Sequence, residues 1–179
     1  SEVGALGMRY THFGKAIYSE QRLSAAYSQR LGNHVAVGAE LCYLYCGTTD
    51  VYYDSCHRLS FAVASQMYIT PDITIGFHVF NPFAVALNAN YSLPIPSVVR
   101  LGMAYSITPE LMATVELEKN IYMRCSIRSG MEYVFLNGFY ARLGFSTAPL
   151  IYTFGVGVER GRWSADIGTQ VHNALGVSP

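Results

Sequence analysis

Apolar and polar residues alternate one by one along most of the chain, most fully between Leu111 and Gly144. Leu111, Ala113, Val115 and Leu117 alternate with Met112, Thr114, Glu116 and Glu118. Ile121, Met123, Cys125, Ile127, Met131 and Tyr133 alternate with Tyr122, Arg124, Ser126, Arg128 and Glu132, and Phe139, Ala141 and Leu143 with Tyr140, Arg142 and Gly144. Successive strand side chains point to opposite faces, so each run predicts a strand with one greasy and one polar face. Thr108-Pro109-Glu110 offers a rival reading, an N-cap, first-turn proline and acid opening a helix. Helical spacing would mix Leu111, Thr114, Val115 and Glu118 on one face. Period two groups the four apolar residues Leu111, Ala113, Val115 and Leu117 on one face with no exception, so a strand is expected.

The same rhythm recurs over Val3–Phe13, Gln21–Arg30, Val35–Cys46, His57–Tyr68, Ile73–Val79, Ser97–Ser106, Ile151–Val158 and Trp163–Val171. The pattern predicts an all-β chain, an antiparallel up-and-down meander of about 11 strands in a single domain over residues 1–179. Short turns fall at Gly32-Asn33, Thr70-Pro71-Asp72, Thr108-Pro109-Glu110, Asn137-Gly138 and Gly161-Arg162. Most of the intervening connections are longer, chiefly residues 47–55 and 81–96. Short turns on one rim and longer loops on the other are the habit of a membrane β-barrel. Tyr27, Tyr68, Tyr105 and Tyr133 each precede a short turn, where aromatic residues would form an interfacial girdle.

Composition decides which face points where. Only 13% of the 179 residues are charged, against roughly 25% in ordinary soluble domains. No apolar run is long enough for a membrane helix, whereas barrel strands hide their lipid face in alternation. The polar face is small and arginine-rich: Arg9, Arg22, Arg58, Arg100, Arg124, Arg128 and Arg142 sit among Gly, Ala and Ser. Its acids are Glu40, Glu116, Glu118, Glu132 and Asp166. Ten of the twelve basic residues are Arg, the side chain suited to paired charges in confined places. The expected lumen network is Arg100, Glu116, Glu118, Arg124, Arg128, Glu132, Arg142 and Asp166. A register with Glu116 opposite Arg124, Leu117 opposite Met123 and Val115 opposite Cys125 pairs those charges. If that pair is buried, Glu116→Ala should cost roughly 3–5 kcal/mol.

A zero formal charge argues against a nucleic-acid binder. His12, His34, His57, His78 and His172 show no metal-ligand spacing, and no Cys-x-x-Cys occurs. Neither a nucleotide fingerprint nor a nucleophile elbow is present. Glu116 and Glu118 share a strand face, but the arginines beside them favour a structural ion network over acid–base work. No catalytic residue, cofactor or metal is expected, and the chain does not read as an enzyme. Cys46 and Cys56 flank the 47–55 loop. Two readings stay open there: a disulfide across the hairpin mouth in an oxidising compartment, or free thiols acting as small hydrophobes.

Several short motifs fall in a recognisable order: Phe77-His78-Val79-Phe80-Asn81-Pro82, Leu93-Pro94 before Arg100-Leu101-Gly102, Glu116-Leu117-Glu118-Lys119, Gly130-Met131-Glu132-Tyr133 and His172-Asn173-Ala174-Leu175-Gly176. From about Tyr18 onward the chain resembles Bacteroidota outer-membrane barrels related to PorQ and PorV of type IX secretion, within the FadL-like superfamily. The resemblance implies a barrel of about fourteen strands when complete, so a longer barrel is expected than the one visible here. It also implies the outer membrane of a Gram-negative bacterium, with membrane lipid and other outer-membrane or secretion-complex proteins as partners. The implied role is secretion or assembly accessory, or transport of small apolar molecules. The alternative is a soluble, lipocalin-like ligand-binding barrel with the greasy face inside. The two differ in where Leu101, Leu117, Ile127 and Leu143 point.

Overall fold

Alternation becomes strand wherever the polar residues have a face of their own to occupy. In the computed structural model, residues 4–15, 18–48, 55–83, 95–136, 138–172 and 176–178 are described. They form β1 (Ala5–Lys15), β2 (Tyr18–Leu31), β3 (Val35–Thr48), β4 (Cys56–Tyr68), β5 (Ile73–Phe80) and β6 (Val98–Thr108). There follow β7 (Leu111–Asn120), β8 (Ser126–Leu136), β9 (Phe139–Thr147), β10 (Leu150–Arg160), β11 (Trp163–His172) and the three-residue β12 (Gly176–Ser178). The strand order follows the chain from β1 to β12, an all-β antiparallel meander, with β1 and β12 as its two end strands. The sheet is thus not closed among the described residues. Of the two long expected loops, residues 49–54 and 84–94 lie outside them.

The short turns use two devices. Gly32, Gly138 and Gly161 take positive φ (68°, 88° and 65°), the left-handed conformation that tight reversals require. The two Thr-Pro turns work differently. Thr70 Oγ1 accepts from the backbone N–H of Asp72 (3.3 Å) and Ile73 (3.0 Å). Thr108 Oγ1 accepts from Glu110 (3.3 Å) and Leu111 (3.1 Å) in the same way. A threonine hydroxyl catching the next two free amides is what an N-cap also does. Hence Thr108-Pro109-Glu110 carries a helix-start signature while opening β7, as the period-two pattern requires.

One expected strand is shorter than its sequence pattern. Residues 121–125 form the connection between β7 and β8, not the start of a strand. Asn120 reverses the chain early: its Oδ1 accepts from Tyr122 N–H (3.0 Å) and its carbonyl from Met123 N–H (3.1 Å). Pairing therefore begins four residues later than expected. Glu116 is the partner of Arg128, Leu117 of Ile127 and Val115 of Ser129. Arg124 sits exposed in the connection and leaves the expected network. Since a slip of four preserves strand parity, every side chain keeps its face.

The contacts group the chain into two compact units. The first comprises residues 1–67 and 77–99, the second residues 68–76 and 100–179. In the first, the face opposite the greasy one is filled. Ser24, Cys42, Ser60 and Ala62 are buried there, and Cys42 is the Cα partner of both Ser24 and Ser60. Arg22 donates to Glu40 at 3.1 Å, and its guanidinium lies 5.1 Å from the centre of the Phe80 ring. Just past β5, Asn81 turns the backbone at φ 51° and is 1% exposed. Its N–H donates to Phe61 O and its Nδ2 to Ile95 O, both at 2.8 Å.

Candidate functional site

In the second unit the polar face of β6 to β11 carries its charges in two clusters. Glu118 is the centre of the first, because β7 brings it between an arginine on β6 and one on β8. Arg100 Nε donates to Glu118 Oε2 at 2.6 Å, and Arg128 Nη2 to Glu118 Oε1 at 2.8 Å. Arg128 Nη1 also reaches Glu116 at 3.3 Å, and Arg100 approaches the same carboxylate at 4.0 Å. The Glu118 side chain is 15% exposed and that of Glu116 37%. Two carboxylates and two guanidiniums thus share one cluster, each charge offset by an opposite neighbour.

A second cluster occupies β8, β9 and β11. Arg142 Nε donates to Glu132 Oε2 at 2.6 Å and Nη1 to Asp166 Oδ1 at 2.8 Å. Glu132 is its direct ladder partner. The Tyr140 hydroxyl donates to the same Asp166 oxygen at 2.5 Å, and Arg142 stacks 4.3 Å from the centre of the Tyr140 ring. Tyr140 is among the few buried side chains, 8% exposed. Its position depends on its ladder partner, Gly157. A Cβ on Gly157 would stand 2.3 Å from the Tyr140 ring, so only glycine lets the ring lie flat across β10. Sequence alternation puts Tyr140 on the polar face but does not mark it as part of the charge network. The usable signal was a large aromatic opposite a glycine, two residues from an arginine.

Between these groups runs a floor with almost no side chains. Gly130 pairs with Gly144, Gly144 with Thr153, and Gly155 with both Arg142 and Gly168. The cavity over it, lined by Glu116, Arg128, Glu132, Arg142 and Asp166 as well as those glycines, measures about 560 Å³. That lies within the range of small-molecule sites, roughly 300–1,000 Å³. Among the described residues no group of three or more His, Cys, Asp or Glu could hold a metal ion. What this arrangement does is line a pocket with fixed charge held in ion pairs, three arginines against four carboxylates.

The opposite face is apolar and turned outward. Leu101, Leu117, Ile127 and Leu143 are between 45% and 55% exposed. Val156 and Ile167, ladder partners on β10 and β11, are 58% and 76% exposed. A greasy face exposed strand after strand is what a lipid-facing wall presents and what a lipocalin-like core does not. Of the tyrosines before the short turns, Tyr27, Tyr105 and Tyr133 are exposed at the ends of their strands and Tyr68 is half-buried.

No protein-family model matches the chain, and no curated protein matches it. Among solved structures, it is similar to the crystal structure of the Ralstonia pickettii toluene transporter TbuX, with a TM-score of 0.67 at 11% identity. The match covers 87% of this chain and 62% of the transporter, so the chain spans under two thirds of that protein's length. At this identity the likeness is one of fold, carried by the meander and not by shared residues. It bears on the FadL-like part of the sequence resemblance and is silent on the PorQ and PorV part.

Proposed function

We propose that the chain is a wall of a non-enzymatic outer-membrane β-barrel of a Gram-negative bacterium, passing small apolar molecules. The observation that carries this reading is the division of faces. Leu, Val and Ile are exposed on one side, and a closed set of ion pairs flanks a glycine-floored cavity on the other. Membrane lipid is then the partner of the first face. The second face serves transit because its three arginines are all held in ion pairs. Arg142 is engaged by Glu132, Asp166 and Tyr140, which leaves no single strong site to trap a passing solute. The name of the structural neighbour, a toluene transporter, supports an apolar cargo of that size. A secretion-accessory role, with partners in a type IX complex, rests on the motif order alone, and no feature of the site favours it over transport.

The test is uptake of toluene by cells or vesicles carrying the full chain, compared with Gly168→Phe. A Cβ at Gly168 meets nothing closer than Phe154 O at 3.6 Å, so the backbone tolerates a side chain there. The phenyl group would occupy the cavity floor. Uptake is expected to fall toward background while the protein remains in the outer-membrane fraction. Unchanged uptake in a correctly located variant would sink the transport reading, and loss of membrane association by the unmutated chain would sink the barrel reading.

A further inference from the structure

Cys46 and Cys56 are Cα partners, the last pair of the β3–β4 ladder before the connection that joins the two strands. Directly opposed residues of antiparallel strands project to the same face, with Cα atoms about 4.5 or 5.5 Å apart depending on the ladder site. A disulfide needs roughly 4.4–6.8 Å, so either kind of site allows one. Both thiols are free and half-buried. Neither of the other cysteines has such a neighbour in register. Cys42 stands between Ser24 and Ser60, and Cys125 is exposed in the connection between β7 and β8. The register thus selects one pair among the four cysteines.

We propose that Cys46 and Cys56 form a disulfide clip that fixes the base of the connection between β3 and β4. The proposal rests on the cell-envelope location argued above, because that compartment oxidises thiols. The oxidant is a disulfide-carrying oxidoreductase of the envelope. One cysteine thiolate attacks a sulfur of the carrier's disulfide and expels a carrier thiolate. The second cysteine thiolate then attacks the mixed disulfide and expels the other. The pair loses two electrons and two protons, and the carrier leaves as a dithiol. The clip ties together the ends of a segment that the β-ladder alone would hold only through backbone hydrogen bonds. On the other side of β3, the row continues into Glu20, the Cα partner of Cys46, which accepts from the Tyr18 hydroxyl. The clip would therefore brace a rim spanning β2, β3 and β4.

The full chain, exported in a Gram-negative host, is fractionated, denatured and labelled with a maleimide–polyethylene glycol, with and without prior reduction. Two adducts are expected without reduction, from Cys42 and Cys125, and four after it. Cys46→Ser should free Cys56 and give three adducts in both states, while the Cys46→Ser/Cys56→Ser double variant gives two in both. Four adducts on the unreduced wild type would overturn the clip. So would an unreduced count of one in Cys46→Ser, which would place the bridge between two of the three remaining cysteines. The fraction in which the protein is found judges the membrane reading separately: a bridged protein outside the membrane keeps the clip and removes the barrel, and a membrane protein with four free thiols does the reverse.

Discussion

The two units build the same alternating meander and treat its polar face in opposite ways. In the first, that face is closed over: Ser24, Cys42, Ser60 and Ala62 are small enough to pack, and Asn81 and Ile95 are buried in the same unit. Arg22 pairs with Glu40 there, with the guanidinium against Phe80. In the second, the floor is glycine and the walls are Glu116 and Arg128 on one side, Glu132, Arg142 and Asp166 on the other. Strand periodicity fixes which residues share a face. It does not decide whether that face is filled or left as a cavity. That decision comes from side-chain size at the partner positions: Cys42 with Ser60 fills, Gly130 with Gly144 opens.

The largest effect should come from breaking the closed face. Asn81 combines near-complete burial, a positive φ and a side-chain bond to Ile95 O. Asn81→Ala orphans a buried carbonyl and puts a residue with no local hydrogen bond into the left-handed region, for a loss of about 2–4 kcal/mol. Asn81→Gly should restore the backbone part of that loss and leave the hydrogen-bond part. Thermal unfolding of the detergent-solubilised protein, followed by heat-modifiable gel mobility, would measure both. Equal losses for Ala and Gly would show that the backbone conformation contributes nothing.

Much of the meander was legible in the sequence. Period two located the strands because each needs only local alternation. The turns were legible because Gly32, Gly161 and the Thr-Pro pairs carry their own chemistry. The faces were legible too, which is why Arg128, Glu118 and Arg142 lie on the side expected. Register was not. Alternation is blind to a shift of four, and the Asn120 turn that sets it depends on one side-chain hydrogen bond. Arg124 was therefore placed with Glu116, when the structure gives that place to Arg128. Tyr140 and Asn81 were missed as key residues for a related reason. Each depends on a partner far along the chain, Asp166 in one case and Ile95 in the other.

A smaller effect is expected at the centre of the open face. Glu118 receives short hydrogen bonds from two arginines while mostly covered by them. Glu118→Ala leaves both guanidiniums without their shared acceptor, and should cost about 1–3 kcal/mol by the same unfolding assay. Glu118→Gln keeps the shape and removes the charge, so it should fall between wild type and Ala. A cost as large as that of Asn81→Ala would mean that the charged face is as dry as the packed one, and the contrast between the units would fail.

The smallest effect is at Glu116, and it is the sharpest probe of how wet that face is. A fully buried pair at this position would cost roughly 3–5 kcal/mol to break. The side chain is instead over a third exposed and its bonds are the long ones, 3.3 Å to Arg128 and 4.0 Å to Arg100. Glu116→Ala should therefore cost less than about 1 kcal/mol. Solvent-reached pairs are also screened by salt, the Debye length shrinking to about 3 Å at 1 M. The Glu116–Arg128 coupling, taken from a double-mutant cycle of Ala variants, should thus fade as salt is raised, while the loss from Asn81→Ala stays constant. A coupling that survives high salt would show that water does not reach the Glu116 carboxylate, and the passage assigned to this face would be closed at that level.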